Sequence, residues 1–282
     1  MFYYHFCFYQ NKILPLNKVR FSLNDLGLLR GMAIFDYFLV LNGTPIFIKD
    51  HLFRFFISAK KVFKDDFKFS KKEIEEIIKK LIKKNKLKNG AIRIILTGGK
   101  TLDGKTYLNS PSLLILVEKF KFLPKSFYQK GIKLLTFNFK RPFSEIKTTF
   151  YFPLILLQET LLKEKAFEPL YVKKGKVLET ATSNFFIFKN NTLITPKKEI
   201  LLGITREKIL KFAKKYFKIE QRDIKLSEAF KANEAFITAT GKGVIPVVKI
   251  DDKIIGTGKP GKNTKILMKL YFDLLKKESK TI

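Results

Sequence analysis

Hydrophobic residues recur with two different periods along this chain. Short apolar runs rich in Ile, Leu and Val are typical of buried strands, and they occur in both halves of the sequence. The predicted strands are the N-terminal run MFYYHFCFYQNK, AIRIILTGG at 91–99, SLLILVEKF at 112–120, IKLLTFNF at 132–139 and the stretch from 234 to 256. Residues 168–196 predict successive hairpins, because Lys-Gly and Asn-Asn stand where the chain must turn.

Other segments repeat their apolar residues every three or four positions, which predicts helices. Ser70 and Glu73 form a capping box, the reciprocal hydrogen-bonding pattern that begins a helix, and apolar residues follow at helical spacing as far as Leu81. Four further helices are predicted. One follows a short strand within 43–63, and one spans 153–167 with Pro153 near its start. One begins at Thr205, and the last spans 262–277. Strands and helices in both halves predict an α/β fold.

The alternation of strands and helices is interrupted once, at residues 121–130, KFLPKSFYQK, where the periodic pattern is lost. We therefore predict a small N-terminal α/β domain at residues 1–120, a linker at 121–130 and a large C-terminal domain at 131–282. A cleft between two such domains is a common place for a small-molecule site.

The composition narrows the class of protein. A chain of 282 residues, 46% of them hydrophobic, can bury a sizeable core. No run approaches about twenty apolar residues, so we expect no membrane association, and we interpret the N-terminus as a first strand, not a signal peptide. The single Cys7 excludes an internal disulfide and suits a reducing cytoplasm. With only His5 and His51 besides, we expect no metal site.

A net charge of +31 is typical of nucleic-acid-binding proteins, but the distribution of the charge is not. Lysines are scattered through every segment, and only seven of the 56 basic residues are arginine, the better reader of bases. Phe, Ile, Lys and Asn, whose codons are AT-rich, are all abundant. We interpret the charge as a solvated surface that follows from base composition, and we expect no nucleic-acid partner. A non-enzymatic basic binding protein is the alternative class.

One lysine, Lys147 in the segment SEIKTTFYFP at 144–153, differs from the others by its neighbours. A lysine acts as a covalent catalyst when it is neutral near pH 7, which requires desolvation or a neighbouring cation. Tyr151 follows in the same segment, and Glu179 lies on a predicted strand one hairpin further on. Glu179 is either a carboxylate that holds a heteroaromatic nitrogen protonated or an exposed acid at a hairpin edge.

Two further segments have features of an anion site. In LLGITREK at 201–208, Gly203 permits a tight turn, and the helix from Thr205 presents free backbone N–H groups. In TATG at 238–241, small residues end a strand, either to approach a ligand or only to turn. Each signal is weak alone, because many helices use Thr simply as a cap.

Taken in chain order, these segments resemble the class IV pyridoxal-phosphate enzymes, which comprise branched-chain aminotransferases, D-amino-acid aminotransferases and aminodeoxychorismate lyases. The resemblance covers roughly residues 25–265 and includes LLRGMAIFDYFLVLNGTPIFIKDHLFRF, IKTTFYFP, LETATSNFFIF, LITP, LLGITREKIL, EAFITATGKGVIPV and IGTGKPG. It implies a two-domain, D-amino-acid-aminotransferase-like fold that binds pyridoxal 5'-phosphate in the interdomain cleft, with the C-terminal domain as the cofactor-binding domain.

The resemblance also implies roles around the cofactor. Lys147 would bind the cofactor covalently and shuttle a proton, Glu179 would pair with the pyridine nitrogen, and Tyr151 would hydrogen-bond the 3-oxygen. The phosphate would be held by Arg54, Ile204, Thr205 and Thr240. A phosphate dianion favours a guanidinium together with a helix N-terminus, so these assignments agree with the residue types.

The sequence departs from the family pattern at three places. Phe150 stands where the family usually has Asn, which puts the local hydrogen bonding in doubt but not Lys147 itself. Asp36 replaces a usual Glu and Met32 replaces a common Asp, so RGMAIF is a drifted version of the motif.

Within the family, the residues favour a branched-chain aminotransferase. Phe35 stands where D-amino-acid aminotransferases have Tyr, and 97–99 read Thr-Gly-Gly where those enzymes have Thr-Arg-Gly. Arg93 matches the arginine that branched-chain enzymes place near the acceptor's distal carboxylate, although Ala91 departs from the expected Tyr. The predicted substrate-binding residues are Phe35, Arg93 and Gly241.

The resemblance therefore implies transamination of Leu, Ile and Val with 2-oxoglutarate, in branched-chain amino-acid biosynthesis. The alternatives are an aminodeoxychorismate lyase, which the segment GKTYLNSP at 104–111 echoes, and a D-amino-acid aminotransferase. The implied partners are small amino and 2-oxo acids, and a second copy of the chain in a homodimer or larger homo-oligomer.

Overall fold

The computed structural model describes residues 2–279, and within that range no helix is long and apolar enough to cross a membrane. The chain divides into two units by its internal contacts. The first comprises residues up to Lys121 with 146–150 and 276–279, and the second comprises 122–145 and 151–275. Both units contain helices and strands, which confirms the predicted α/β class.

The first unit is built on a six-stranded antiparallel sheet in the order β2-β1-β6-β5-β3-β4. Its strands are β1 (Phe6–Tyr9), β2 (Lys12–Pro15), β3 (Ala33–Leu41), β4 (Thr44–Pro45), β5 (Gly90–Thr97) and β6 (Ser112–Glu118). Its helices are α1 (Leu26–Arg30), α2 (Ile48–Phe63) and α3 (Lys71–Lys84), with a 3-10 turn at Leu16–Lys18. The strands predicted at 91–99 and 112–120 are confirmed, and the predicted first strand is a hairpin of two.

The core of the first unit lies between α2, α3 and one face of the sheet. Side chains alternate between the two faces of a strand, so Ile34, Phe38 and Val40 of β3 all point towards the helices. α3 contributes Ile74, Ile78 and Leu81. Its start is confirmed as a capping box, in which Ser70 and Glu73 each accept from the other's backbone N–H. α2 and α3 do not cover the opposite face of the sheet.

The second unit is a closed ring of six strands with four short additions. Its strands are β7 (Ile132–Asn138), β8 (Glu168–Lys173), β9 (Lys176–Thr180), β10 (Asn184–Lys189), β11 (Thr192–Thr195), β12 (Lys218–Gln221), β13 (Ile224–Lys225), β14 (Glu234–Ala239), β15 (Gly243–Ile250) and β16 (Lys253–Ile254). The ring runs β10-β14-β15-β7-β8-β9 and closes where Glu179 of β9 pairs with Asn184 of β10. β15, β7 and β8 are parallel neighbours, and the other pairs in the ring are antiparallel.

The helices of the second unit are α4 (Lys125–Lys130), α5 (Phe152–Leu156), α6 (Gln158–Lys163), α7 (Ile204–Ala213), α8 (Leu226–Phe230) and α9 (Lys262–Glu278), the last of which ends in the first unit. Fully buried side chains of the ring strands, including Leu134, Leu170, Phe185 and Ile237, form the core. The predicted hairpins are confirmed, and positive φ angles at Lys174, Gly175 and Asn190 mark their turns.

One predicted helix is wrong in extent. Residues 153–167 form two short helices, α5 and α6, and not one continuous helix. Leu157, between them, has φ −84° and ψ −5°, which lies in the right-handed helical region but departs from the ψ of about −42° of a regular α-helix. Pro153 does lie in the first turn of α5, as predicted.

The predicted domain boundaries of 1–120, 121–130 and 131–282 stay a prediction. The proposed linker contains α4, and the short segment at 146–150 groups with the first unit although it lies far along the chain. That segment carries Lys147.

Candidate active site

Lys147 lies on a short extended segment that pairs with the edge of β3. The Phe35 N–H donates to the Lys147 carbonyl over 2.8 Å, and the Thr149 N–H donates to the Ala33 carbonyl over 3.2 Å. Ile34 and Thr148 form the antiparallel bridge between these bonds. β4 pairs only with the far end of β3, at Val40 and Leu41, so the near edge is left to this segment.

The pairing decides which side chains share a face. Phe35 and Lys147 stand opposite each other, so they point to the same side, and Lys147 Nζ lies 4.5 Å from the Phe35 ring centroid. Ile146 alternates to the other side and packs in the helix-covered core. Period-two alternation therefore directs Lys147 to the face of the sheet opposite α2 and α3.

Arg93 lies on the same face as Lys147. It stands opposite Tyr37 in the β3–β5 register, and its guanidinium carbon lies 5.2 Å from the Phe35 ring centroid and 5.0 Å from that of Tyr37. Arg93 donates from Nε and Nη2 to the two carboxylate oxygens of Glu118, which is 1% exposed. Burial and the charge of Glu118 raise the pKa of Tyr37 to about 12, so its hydroxyl stays protonated.

Arg54 is held by hydrogen bonds on the face of the sheet that α2 and α3 cover. Its Nε and Nη2 donate to the two oxygens of the fully buried Asp36, over 2.9 and 2.8 Å. His51, one turn earlier on α2, donates from Nδ1 to Asp36 over 2.8 Å, because an ionised carboxylate can only accept. A guanidinium has five N–H donors, so the contact with Asp36 does not exhaust its capacity for a phosphate.

In the cluster of Asp36, His51 and Arg54, burial and the charge of the Arg54 guanidinium determine which side chains are ionised. Burial alone raises the pKa of the Asp36 carboxyl, but the charge of Arg54 and the contact with His51 outweigh it and hold that pKa well below its usual range. Burial has the largest effect on the pKa of His51 and lowers it, Asp36 opposes that change, and the charges of Arg54 and Lys147 add to it, so that the pKa is lowered overall. The cluster is therefore a carboxylate, a guanidinium and a neutral imidazole at neutral pH.

In the second unit, Glu179 is a buried carboxylate with fixed partners. Arg141 donates to its Oε1 from Nε and Nη2, over 3.2 and 3.0 Å, and the Leu201 N–H donates to its Oε2 over 2.9 Å. Glu179 is 5% exposed. The alternative of an exposed acid at a hairpin edge is therefore wrong.

The segment that leads into α7 is hydrogen-bonded to the strand residues around Glu179. Asn184, opposite Glu179 at the closure of the ring, donates from Nδ2 to the Leu201 carbonyl over 2.7 Å. Gly203 is the residue before α7, and no side chain caps the helix there. A Cβ on Gly203 would stand 2.2 Å from Asn184 Oδ1. The buried Ile204 and Thr205 thus begin a ten-residue helix whose N-terminus is held beside Glu179.

Thr240 and Gly241 form the turn between β14 and β15. The next residue, Lys242, donates to Glu168 and Thr182, and to Ser183 over 3.1 Å. The turn is therefore tied to the loop that follows Glu179 along the chain. The Thr205 hydroxyl lies 3.2 Å from that of Tyr271, whose pKa burial raises to about 12.

Tyr151 immediately precedes α5 and is half-buried. Burial raises the pKa of Tyr171 to about 12, the charge of Arg141 lowers it, and those of Glu179 and Tyr151 raise it.

Each unit has residues whose chemistry suits a part of pyridoxal phosphate. In the first unit a half-buried lysine suits an aldehyde. In the second unit an anchored carboxylate suits a pyridine nitrogen, and a helix N-terminus without a side-chain cap suits a phosphate. The Thr238 hydroxyl is buried and finds no hydrogen-bond partner within residues 2–279, and Thr238 pairs with Asn184, which stands at the closure of the ring. A buried hydroxyl without a partner is unusual, because buried polar atoms normally have one.

Sequence reasoning missed four residues that hold the site in place: Arg141, His51, Glu118 and Lys242. The signal for Arg141 was present, since it is one of seven arginines and lies between β7 and Lys147. Glu118 ends an apolar strand, a position where a polar residue gives no sign of a further role. In the sequence Asp36 is only a departure from a motif, whereas in the structure it is the buried partner of Arg54.

The chain is similar to known proteins over most of its length. A family model described as amino-transferase class IV matches residues 33–250. The chain is similar to a D-alanine aminotransferase from Bacillus licheniformis, with 27% identity over 97% of this chain and 99% of the relative. It is also similar to a branched-chain-amino-acid aminotransferase from Pseudomonas aeruginosa, with 29% identity over 89% of this chain and 84% of the relative.

A solved structure has the same fold. The branched-chain amino acid aminotransferase from Escherichia coli superposes with a TM-score of 0.87. The match covers 98% of this chain and 96% of the other at 20% identity, so the likeness shows the fold alone.

Proposed function

The chain belongs to the class IV aminotransferases, which are pyridoxal-phosphate enzymes, and on that premise we propose that it transfers the amino group of Leu, Ile or Val to 2-oxoglutarate. Relatives of two named specificities match at similar identity, so the donor is inferred from the residues around Lys147. The observation that carries the proposal is the shared sheet face on which Phe35 separates Lys147 from Arg93.

The proposal assigns the cofactor contacts residue by residue. Lys147 binds the aldehyde carbon, Glu179 accepts from the pyridine nitrogen, and Tyr151 donates to the 3-oxygen. Arg54, the N–H groups of Ile204 and Thr205, and the Thr240 hydroxyl bind the phosphate. The support is chemical: Glu179 is fixed by Arg141, and α7 begins without a side-chain cap.

Bound pyridoxal phosphate supplies an electron-withdrawing ring that stabilises negative charge at the Cα of the amino acid. Glu179 keeps that ring positive by remaining ionised, which its contacts with Arg141 and the Leu201 N–H favour. Once the amino group of the substrate has displaced it from the aldehyde carbon, the freed Lys147 Nζ would take the proton from Cα as a general base and would return a proton in the reverse half-reaction. The Phe35 ring beside Nζ shields the amine from water on one side.

The residues proposed to determine the choice of substrate lie on the same face of the sheet as Lys147. The rings of Phe35 and Tyr37 suit a branched aliphatic side chain, because such a side chain is bound by burying its apolar surface. Arg93 suits the second carboxylate of 2-oxoglutarate, since a guanidinium binds carboxylates in a fork geometry. Gly241, in the turn after β14, is proposed to place backbone N–H groups near the substrate's first carboxylate.

The test is a parallel assay of purified holoenzyme with L-Leu, L-Ile, L-Val, D-Ala and aminodeoxychorismate, the first four with 2-oxoglutarate. We expect kcat/KM for the branched-chain L-amino acids to exceed that for D-Ala by at least about tenfold. Preference for D-Ala would overturn the proposed donor. Release of pyruvate and aminobenzoate would instead identify the lyase.

We also propose that the protein assembles as a homodimer or larger homo-oligomer, as the resemblance to the family implies. Light scattering of the purified holoenzyme tests this directly. A mass of about 33 kDa per particle, the mass of one chain, would contradict it.

A further inference from the structure

Glu118 neutralises the arginine that stands near Lys147. Arg93 donates from Nε to Oε1 and from Nη2 to Oε2, the latter over 3.1 Å, so the two groups meet as fork and carboxylate. The two side chains of the pair differ in their exposure to solvent. The Glu118 side chain is 1% exposed, whereas that of Arg93 is 29% exposed.

The Arg93–Glu118 pair lies on the same face of the sheet as Lys147. The Phe35 ring lies between two basic side chains, with Lys147 Nζ at 4.5 Å and the guanidinium carbon of Arg93 at 5.2 Å from its centroid. A substrate bound at Lys147 whose side chain extends past Phe35 therefore meets the exposed part of Arg93. Glu118 lies behind Arg93, at the end of β6.

We propose that Glu118 is a specificity-determining residue, which cancels the charge of Arg93 so that one subsite accepts either a hydrocarbon side chain or a second carboxylate. The inference rests on the proposed function, since it takes Lys147 and Arg93 as the two ends of the substrate site. It adds a residue to which the family resemblance assigned no role.

The physical reason is the cost of placing hydrocarbon beside an uncompensated charge. A lone guanidinium on this face would retain its water and would exclude a leucine side chain, because desolvating an unpaired charge is unfavourable. Paired with Glu118, the guanidinium is already neutralised and partly desolvated. Its remaining N–H donors still offer hydrogen bonds to a carboxylate.

Glu118 also limits how tightly a dicarboxylate binds. A second carboxylate on Arg93 brings two negative charges to one guanidinium, and their repulsion opposes the attraction. The pair thus balances the two substrates that a transaminase must bind in turn at one site.

The experiment compares Glu118→Gln with the wild-type holoenzyme. Gln keeps an oxygen acceptor for Arg93 and removes the negative charge. The probes are two unreactive acids, glutarate and 4-methylvalerate, whose dissociation constants are measured by calorimetry. We expect the ratio of the two affinities to shift towards glutarate by at least about tenfold, as expected when one charge next to a carboxylate is removed. The ratio of kcat/KM for 2-oxoglutarate and 4-methyl-2-oxopentanoate should shift in the same direction.

A matched control is Glu164→Gln, which removes an acid that pairs with Lys133 and is 48% exposed. It should leave both affinities unchanged. If Glu118→Gln weakens both acids equally, or leaves their ratio unchanged, Glu118 has only a structural role and the proposal is overturned.

A second variant keeps the test decisive if Glu118→Gln does not fold. In Arg93→Gln with Glu118→Gln, both charges are replaced by neutral amides, of which the one at position 118 matches the glutamate in size and the one at position 93 is shorter than the arginine. We expect this variant to lose glutarate affinity by about tenfold or more while 4-methylvalerate stays within about threefold. Equal losses of both would overturn the proposal. Failure of the proposed function is distinguishable, because the wild-type enzyme itself would then not bind 4-methylvalerate.

Discussion

Arg141 donates from both Nε and Nη2 to a single oxygen, Oε1, of the Glu179 carboxylate. The other oxygen accepts from the Leu201 N–H. Both side chains are buried, with 10% and 6% of their surface exposed. Arg141 therefore balances the charge of the residue proposed to pair with the pyridine nitrogen and fixes its orientation.

Arg141→Met should lower the free energy of unfolding by about 3–5 kcal/mol, because it leaves a buried carboxylate without its counter-charge. Arg141→Lys should lose less, since it keeps the charge but not the fork geometry. Urea unfolding measures both. Combining Arg141→Met with Glu179→Gln removes both charges and should recover a large part of the loss. A loss below about 1 kcal/mol for Arg141→Met would contradict the pairing, since exposed pairs contribute only that much.

Asp36→Asn should tighten phosphate binding while it weakens the fold. Asp36 neutralises Arg54 from the helix side, so its removal leaves the guanidinium with a full charge for an anion. The expected loss of unfolding free energy is about 2–4 kcal/mol, since a buried charge pair is broken. Inorganic phosphate should then protect the apoenzyme against thermal unfolding at a lower concentration than in the wild type. Asp252→Asn, at a side chain 91% exposed, is the control. Unchanged protection by phosphate would remove Arg54 from the proposed phosphate site.

The stability of the protein should fall as the pH falls below about 6.5, the ordinary pKa of histidine. Burial holds the pKa of His51 in the fold below that value, so the unfolded chain binds a proton there that the folded chain does not. Free energy of unfolding then decreases by up to about 1.4 kcal/mol per pH unit for this one group. Asp36 adds to the loss only below about pH 3.9, because its folded pKa is depressed from that ordinary value. Urea unfolding at pH 7.5 and 5.5 should show this loss in the wild type and a smaller one in His51→Gln, and equal slopes would contradict it.

Gly203→Ala should disturb the start of α7. The new Cβ would lie 2.2 Å from Asn184 Oδ1, and Asn184 cannot easily move because it donates to the Leu201 carbonyl. We expect a loss of about 1–3 kcal/mol in unfolding free energy and weaker binding of pyridoxal phosphate, which titration of the apoenzyme measures. Asn184→Ala in the same chain makes room, so the double variant should recover the packing loss. Wild-type stability and cofactor affinity in Gly203→Ala would show that the N-terminus of α7 tolerates displacement.

Much of the fold was predictable because its signals are local. The capping box at Ser70, the strand at 91–99 and the turn at Gly175 each depend on residues close in sequence, and each is confirmed. The helix predicted at 153–167 was wrong because a proline at a helix start does not reveal where the helix stops. The ring also requires pairing between strands that are distant in sequence, such as Asn184 with Thr238, and the hydrophobic period does not reveal such pairing.

Motifs in the sequence suggested the candidate site residues but not the residues that hold them. The roles of Lys147 and Glu179 stay a prediction from motifs, while their surroundings depend on contacts between distant residues. The pairing of Phe35 with Lys147 joins positions more than a hundred residues apart, and Glu118 reaches Arg93 across neighbouring strands. A charged residue in a lysine-rich chain gives no sign in sequence of being the one that is buried and paired.

The central claim is that Lys147, among the many lysines of this chain, is the one that binds the cofactor. It is tested most directly by reducing the holoenzyme with borohydride, digesting it, and locating the phosphopyridoxyl group by mass spectrometry. The account predicts a single modified lysine, at position 147, and no modification in Lys147→Ala. A label on any other lysine of the wild-type protein, or none at all, would contradict it.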